Sequence, residues 1–455
     1  MRNDAILPPT LSSDRTLNAD FFFTGNRPNR PHPQPVCTSP RTRPLQSHRQ
    51  SKLLRNPQFL RLWAVGWMTG TMMWLEMLVI ALLALELTDS PFLVSFTFFL
   101  RFIPMLFGYG IGVVSERMNR KYLMIAGLAL QAAVSAVIAG LIITGSLEYW
   151  HLAVGSFLIG AVMSSEFPIR RTMIAEVVDR GSIGRAISLE QTSNSLFRIL
   201  GPFIGGVFLA TIGAQGGFLL GVALYSIGAI IALSMKYRRP EVLQQIQSAR
   251  TQVIEGVRYI SRSQLLVGTL AVTLVLNVFA FPYMSQQPIV ARLELGVSDV
   301  LIGVMQSVEG AGAFLGAALI AIFARPRHYT NIYMWGSLLF LVAIVAFSRS
   351  NTYWLTLVIL FFAGAGMSGF ATMQSAIMIY VSSPAMRGRV LGAVTVFIGI
   401  GPFGQLGIGL LASILDPATA VLIVASIGIA AMVAVFFVFP IMRNSAALER
   451  DSADT

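Results

Sequence analysis

The sequence predicts an all-α membrane protein with twelve transmembrane helices in two six-helix bundles. Three observations lead there: more apolar composition than a soluble core absorbs, a succession of apolar stretches of bilayer-crossing length, and basic residues gathered in the gaps between them. Hydrophobic residues make up 55% of the 455 and charged residues 12%, the latter about half the usual globular share. Mean hydropathy is +0.69. A soluble chain would have to hide that surface in one or two cores, whereas a bilayer solvates it. Stretches this long and uniformly apolar fit helices rather than barrel strands, because only a helix satisfies its own backbone in lipid.

Residues 1–52 open the chain as a polar tail rich in Pro, Arg, Ser and Asn, expected to be disordered and cytoplasmic. Its one apolar cluster, Phe21–Phe23, is too short for a secretory signal. Asp4, Asp14 and Asp20 argue against an organelle transit peptide. A helix needs about 20 apolar residues to cross the hydrocarbon. Spans are expected at 59–86, 92–115, 121–145, 150–173, 184–212 and 216–236, forming a first bundle over 53–236. A charged linker, 237–262, follows; the apolar spacing of Val253–Ile260 suits either a helix on the membrane surface or a solvated linker. Further spans at 263–290, 300–324, 329–348, 352–380, 388–414 and 418–440 form a second bundle over 263–440, before a cytoplasmic tail, 441–455.

Orientation follows from the basic residues. With the N-terminus inside, all but four of the 33 Lys and Arg fall on the cytoplasmic side; Arg292 and Arg349 are external, and Arg101 and Arg198 lie inside spans. Both termini are therefore expected in the cytoplasm. The net charge of +12 does not indicate nucleic acid, which would need a basic soluble face. The single cysteine, Cys37, and four scattered histidines (His32, His48, His151, His328) give no disulfide framework or metal motif. With no HExxH or GxxxxGK[ST] either, the expectation is no enzyme and no cofactor.

The halves echo one another. The fifth span runs from Gly184-Arg185-Ala186 to Gly201-Pro202-Phe203, and the eleventh from Gly388-Arg389-Val390 to Gly401-Pro402-Phe403. The two spacings differ by four residues, about one helical turn.

After the second span stands Gly112-Val113-Val114-Ser115-Glu116-Arg117-Met118-Asn119-Arg120-Lys121. Gly112 allows close helix approach, while Glu116, Arg117, Arg120 and Lys121 can pair with helix ends as a conformational latch; the alternative is an ordinary positive-inside loop. Asn119 is expected to support a turn, since Asn tolerates positive φ. This stretch resembles the major facilitator signature, with Glu for Asp and Asn for the second Gly. Gly201-Pro202-Phe203-Ile204-Gly205-Gly206 is similar to the end of the motif associated with antiporters of that superfamily. There Gly201, Pro202, Gly205 and Gly206 form either a seam about which the halves rock or ordinary small-residue packing. Glu86-Leu87-Thr88-Asp89-Ser90-Pro91, and Asn194 with Arg198, resemble the branch holding the enterobactin exporter, macrolide efflux proteins and transmembrane secretion effectors.

The resemblance covers 53–440. It implies the major facilitator fold, a cavity built by spans 1, 4, 7 and 10, and a monomer in the cell inner membrane. The implied work is export of a siderophore- or drug-like amphipathic molecule against protons by alternating access. Import, lipid flipping and a non-transporting sensor on the same fold remain as alternatives.

Glu76, Arg101, Glu166, Arg198 and Glu309 fall within spans. Each costs about 2.5–3.5 kcal/mol or more at the bilayer centre unless paired or hydrated, so they are expected to face inward. At about 1.5 Å per residue, Glu76 and Arg101 lie roughly 24 and 21 Å from the inner ends of their helices, which makes them the first expected pair. Glu309 sits at a similar depth, and Arg198 either pairs with Glu166 or attracts an anionic substrate. Either Glu76 or Glu309 exchanges a proton as the cavity alternates, or the pairs are permanent and structural.

Overall fold

The computed structural model describes residues 53–107, 118–179, 182–237, 249–383 and 386–443, and the described part is helical throughout. The first six helices are α1 (Pro57–Thr88), α2 (Pro91–Phe102), α3 (Arg120–Ile143), α4 (Tyr149–Val177), α5 (Ile183–Thr211) and α6 (Ala214–Leu233). After the short α7 (Ala249–Ser261) come α8 (Gln264–Val275), α9 (Tyr283–Leu293), α10 (Asp299–Phe323), α11 (Tyr329–Ser348), α12 (Tyr353–Val381), α13 (Arg387–Ile398), α14 (Gly401–Ile414) and α15 (Pro417–Val438). Local chemistry sets the starts. Asn56, Ser90, Ser263 and Asp416 each cap a helix with a side-chain oxygen, and proline follows directly at 57, 91 and 417. Between α1 and α2 the chain turns in two residues, with Asp89 at φ 49°.

Eleven helical stretches among the described residues are long and apolar enough to cross a membrane. Of the expected second span only the first part is described: α2 ends at Phe102, a 3₁₀ turn covers Ile103–Phe107, and the rest lies outside the described residues. Two other expected spans are broken rather than continuous. Between α8 and α9 the helix widens to a π turn at Leu276–Ala280, closed by the Phe281 N–H bonding Leu276 O at 2.9 Å. Pro282, which lacks an N–H, follows directly. The expected span 388–414 is interrupted at Gly399–Ile400, before Pro402. Pro168 and Pro202 are accommodated within α4 and α5. Within 237–262 the chain forms α7, whose Glu255 pairs with Arg389 of α13 at 2.5 Å.

Long helices joined by short turns run antiparallel to their neighbours, so helix ends gather at two opposite ends of the molecule. One, the turn end, carries the connections at 89–90, 144–148, 212–213, 294–298, 349–352 and 415–416; the other, the basic end, carries those richest in Arg and Lys. Two apolar cores form: one from 53–235 with Ile289 of α9, the other from 260–442 with Leu78 and Leu82 of α1. The outward faces are apolar too: Ile322, Phe323 and Val438 are about two-thirds exposed or more, which is the lipid-facing pattern. Two helix pairs, α5 with α10 and α2 with α14, make the main connection between the first six helices and the later ones, and α9 also packs on α1 and α2. The first pair is close because of glycine. A Cβ at Gly303 would meet Pro202 O at 2.5 Å, and one at Gly310 would meet Arg198 O at 2.7 Å.

Candidate functional site

Among the described residues buried charge concentrates at three places, and helix packing decides which partners each group finds. The first is the expected pair. Arg101 of α2 donates through Nη2 to Glu76 Oε2 of α1 at 2.8 Å, and both side chains are essentially inaccessible. Tyr225 of α6 donates to the other carboxylate oxygen at 2.9 Å. Gly160 lets α4 press on this arginine's backbone, since a Cβ there would lie 1.8 Å from Arg101 O. All four helices precede residue 234.

The second joins the early helices to the later ones. Arg198 of α5 donates through Nη2 to Glu309 Oε1 of α10 at 2.8 Å. Tyr283 of α9 donates to Glu309 Oε2 at 2.5 Å, and Gln287 Nε2 to the same oxygen at 3.3 Å. The guanidinium also lies 5.0 Å from the centre of the Trp74 ring, within cation–π range, and near Met367 S at 3.0 Å. Arg198 and Glu309 border a cavity with Trp74, Met77, Pro202, Gln287 and Gln306. The expected cavity drew on spans 1, 4, 7 and 10; this one is lined from α1, α2, α5, α9 and α10. Spans 4 and 10 give none of its lining residues, although Met367 of span 10 approaches Arg198. Arg198 therefore does not pair with Glu166, as one alternative expected. Arg198 and the acid nearest Glu166, Glu190, are eight residues apart on α5, about 12 Å, and Glu166 has a nearer cation on its own helix.

That cation makes the third site. Arg170 Nε bonds Glu166 Oε1 at 2.8 Å, one turn apart on α4. Arg170 Nη1 also lies 3.2 Å from Glu190 Oε1, and Arg171 Nε lies 3.6 Å from Glu190 Oε2. Sequence reading placed Arg170 and Arg171 in a cytoplasmic gap and did not single out Glu190. The i, i+4 spacing of Glu166 and Arg170 was the signal available. Nothing in the sequence brought Tyr225 to Glu76.

Of the expected latch, Gly112, Glu116 and Arg117 lie outside the described residues. Arg120 Nη1 meets Glu176 Oε1 of α4 at 2.5 Å, and Tyr237 donates to Glu176 Oε2. Burial, then the Glu176 carboxylate, pushes the Tyr237 phenol above its ordinary value. Lys121 Nζ bonds the carbonyls of Leu233 and Met235 at 2.8 and 2.7 Å, so a cation sits on the C-terminus of α6. Asn119 does not adopt positive φ: at φ −73° it caps α3, accepting from the Lys121 N–H. Its side-chain oxygen serves the helix start better than a left-handed backbone would. In the Gly-Pro motif, Gly201 and Gly205 face α1, where added Cβ atoms would meet Trp74 Cβ at 2.6 Å and Leu75 O at 3.3 Å. Gly206 and Pro202 face α10.

The comparisons agree with this architecture. The family described as transmembrane secretion effector matches residues 51–454. The chain is similar to the uncharacterized MFS-type transporter YfiS of Bacillus subtilis, at 26% identity over 70% of this chain and 78% of that protein. It is similar to the staphyloferrin A transporter of Staphylococcus aureus at 20% identity over 68% and 78%. With the multidrug resistance protein MdtG of Salmonella schwarzengrund the figures are 22%, 64% and 70%. Among solved structures, the nucleoside transporter NupG superposes with TM-score 0.66 at 13% identity, covering 84% of this chain and 99% of that one. An inward-facing, unoccupied bacterial homolog of the human lysosomal transporter Spinster gives 0.59 at 15%, covering 90% and 98%. These likenesses show the fold. The matched helices, their buried charges and the family match over nearly the whole described chain identify a multi-pass membrane transporter of small molecules, and the chain belongs to the major facilitator superfamily, in its transmembrane secretion effector family.

Proposed function

We propose that this transporter exports a hydrophobic or amphipathic small molecule across the cell inner membrane in exchange for protons, and that the Arg198–Glu309 pair couples the two movements. The observation that carries this is the position of the pair: it links α5 to α10 across the seam and borders the cavity. A relative motion of the two groups of helices must strain or break it.

The reading takes 53–236 and 263–440 as two six-helix bundles, with twelve crossings, joined by the linker 237–262 and flanked by the tails 1–52 and 441–455. The positive-inside bias supports putting the basic end and both termini in the cytoplasm. The turn end is then external, and polar contacts tie the bundles there. Ser95 of α2 meets Ser285 and Gln286 of α9 at 3.0 and 2.6 Å, and Arg292 meets Glu86 at 2.9 Å. Such ties support a state closed to the outside. Substrate enters from the cytoplasmic side and reaches Trp74, Met77 and Gln306 as rocking widens the narrow cavity they line. Rocking then separates Arg198 from Glu309, and the uncovered carboxylate takes a proton from outside. Return to the inward state re-forms the ion pair and releases that proton inward, completing an antiport cycle as a monomer. Names of the similar staphyloferrin A and multidrug transporters support siderophore- or drug-like cargo.

Purified protein in vesicles with an imposed pH gradient tests this against a panel of siderophores and antibiotics. Accumulation of a panel compound should follow the gradient and vanish in Glu309→Gln. Gradient-driven transport that survives Glu309→Gln removes Glu309 as the coupling group.

A further inference from the structure

The buried acids differ in how well their charge is satisfied. Glu76 accepts from Arg101 and Tyr225, and Glu309 from Arg198, Tyr283 and Gln287. Glu166 accepts from Arg170 and, at 3.4 Å, from the Thr69 hydroxyl of α1. Glu190 is 4% exposed, yet among the described residues neither of its carboxylate oxygens has a hydrogen-bond partner. Its two cationic neighbours touch it only at ion-pair distance. Arg170 directs Nε to Glu166, and Arg171, on the rim of the cluster, gives Nη2 to Gln191 Oε1 at 2.8 Å. A carboxylate offers about four acceptor positions, and a buried acceptor left unmade is costly, more so when charged.

We propose that Glu190 is a second proton-binding site, set with Glu166 and Arg170 between the basic end and the Arg198–Glu309 pair. Among the described residues its charged neighbours are all on α4: Arg170, Arg171 and Glu166. Among the described residues the cluster meets Gly66 and Thr69 of α1, both uncharged, and Gln191 of α5 itself. Protonation at Glu190 adds one proton to one oxygen and leaves Arg170 neutralised by Glu166 alone. Deprotonation returns the guanidinium to bridging both acids, drawing α4 and α5 together. Gly66 sets the position of the guanidinium, because a Cβ there would fall 2.0 Å from Arg170 Nη1.

The proposal deepens the coupling role above and rests on that reading only for the direction in which protons move. Infrared difference spectroscopy of the full chain in lipid nanodiscs, stepped through pH, reads the protonated-carboxyl band directly and needs no substrate. Glu190→Gln should remove one titrating carboxyl per chain, Glu190→Asp should keep one, and Gly66→Ala should shift its midpoint with the acid still in place. A Glu190→Gln spectrum identical to that of the unaltered protein overturns the proposal, as does a midpoint unmoved by Gly66→Ala in a protein that folds. Glu309→Gln in the vesicle transport assay, beside Glu190→Gln in the infrared titration, separates the two readings. If it keeps gradient-driven transport while Glu190→Gln still loses its carboxyl, the Glu309 reading fails and this one stands.

Discussion

The two inner ion pairs, Glu76–Arg101 and Arg198–Glu309, are made from the same parts and sit on different boundaries. In each, an arginine Nη2 reaches a glutamate at 2.8 Å and a tyrosine hydroxyl, Tyr225 or Tyr283, takes the second oxygen. The Glu76 pair is closed in among α1, α2, α4 and α6, and the Arg101 side chain is 2% exposed. The Arg198 pair spans α5 and α10, borders the cavity and leaves 11% of its arginine side chain exposed. Identical chemistry thus has a different consequence by address. A pair inside one group of helices holds that group together, while a pair across the seam would feel any movement of one group against the other, as the proposed cycle requires.

The comparison breaks most sharply at Arg101. Arg101→Ala strands the buried Glu76 carboxylate without its cation and should cost about 3–5 kcal/mol, read as a large fall in melting temperature of the detergent-solubilised protein. An unchanged melting curve would put this pair on the same footing as the other. Next, Gly303→Ala should cost about 1–3 kcal/mol, because the added Cβ meets the backbone carbonyl of Pro202 rather than a movable side chain. Gly407→Ala, with nothing within 4 Å of the new atom, serves as the control and should be silent. Equal effects from the two would mean the α5–α10 seam is looser than its geometry. Glu309→Gln should leave melting within about 1 kcal/mol of the parent, since Arg198 keeps the Trp74 face and the cavity, yet reduce coupled transport about tenfold or more, equivalent to about 1.4 kcal/mol. Loss of folding together with transport would make this pair structural after all.

The smallest effect calibrates the rest. Asp416 caps α15, accepting from the Thr419 N–H at 2.7 Å, and that bond holds its carboxyl below the ordinary value. A depressed folded pKa contributes stability that is present above the ordinary aspartate range and is lost as pH falls through the folded value. Asp416→Ala should cost about 1 kcal/mol near neutrality and flatten the acid limb of the stability curve. A cost that persists unchanged in strong acid would assign it to packing instead.

How much of this was legible follows the range of each interaction. Glu76 and Arg101 were matched by depth alone, because both lie on neighbouring helices joined by a two-residue turn, so distance along the chain translates into height in the bilayer. Arg198 failed the same reasoning. Its candidate partner Glu166 was consumed by Arg170 one turn away, and its real partner stands 111 residues later on a helix that only the fold brings close. Glu190 escaped notice for the converse reason: near a helix end a glutamate reads as a solvated residue, and only packing against α1 and α4 makes it buried. The breaks at Leu276–Ala280 and Gly399–Ile400 were hidden because apolar runs look continuous whatever the hydrogen-bond register beneath them.

By itself the sequence determined that the chain spans a membrane as helices, where most of them begin and end, and in which gaps between them its basic residues gather. Those properties depend on transfer of each segment from water to lipid, which is local and sums residue by residue. Only the tertiary structure decided which buried acid meets which cation, which helices wall the cavity, and which pair crosses the seam. Those outcomes depend on distances between segments remote in the chain, and glycine contacts of a few ångströms set them.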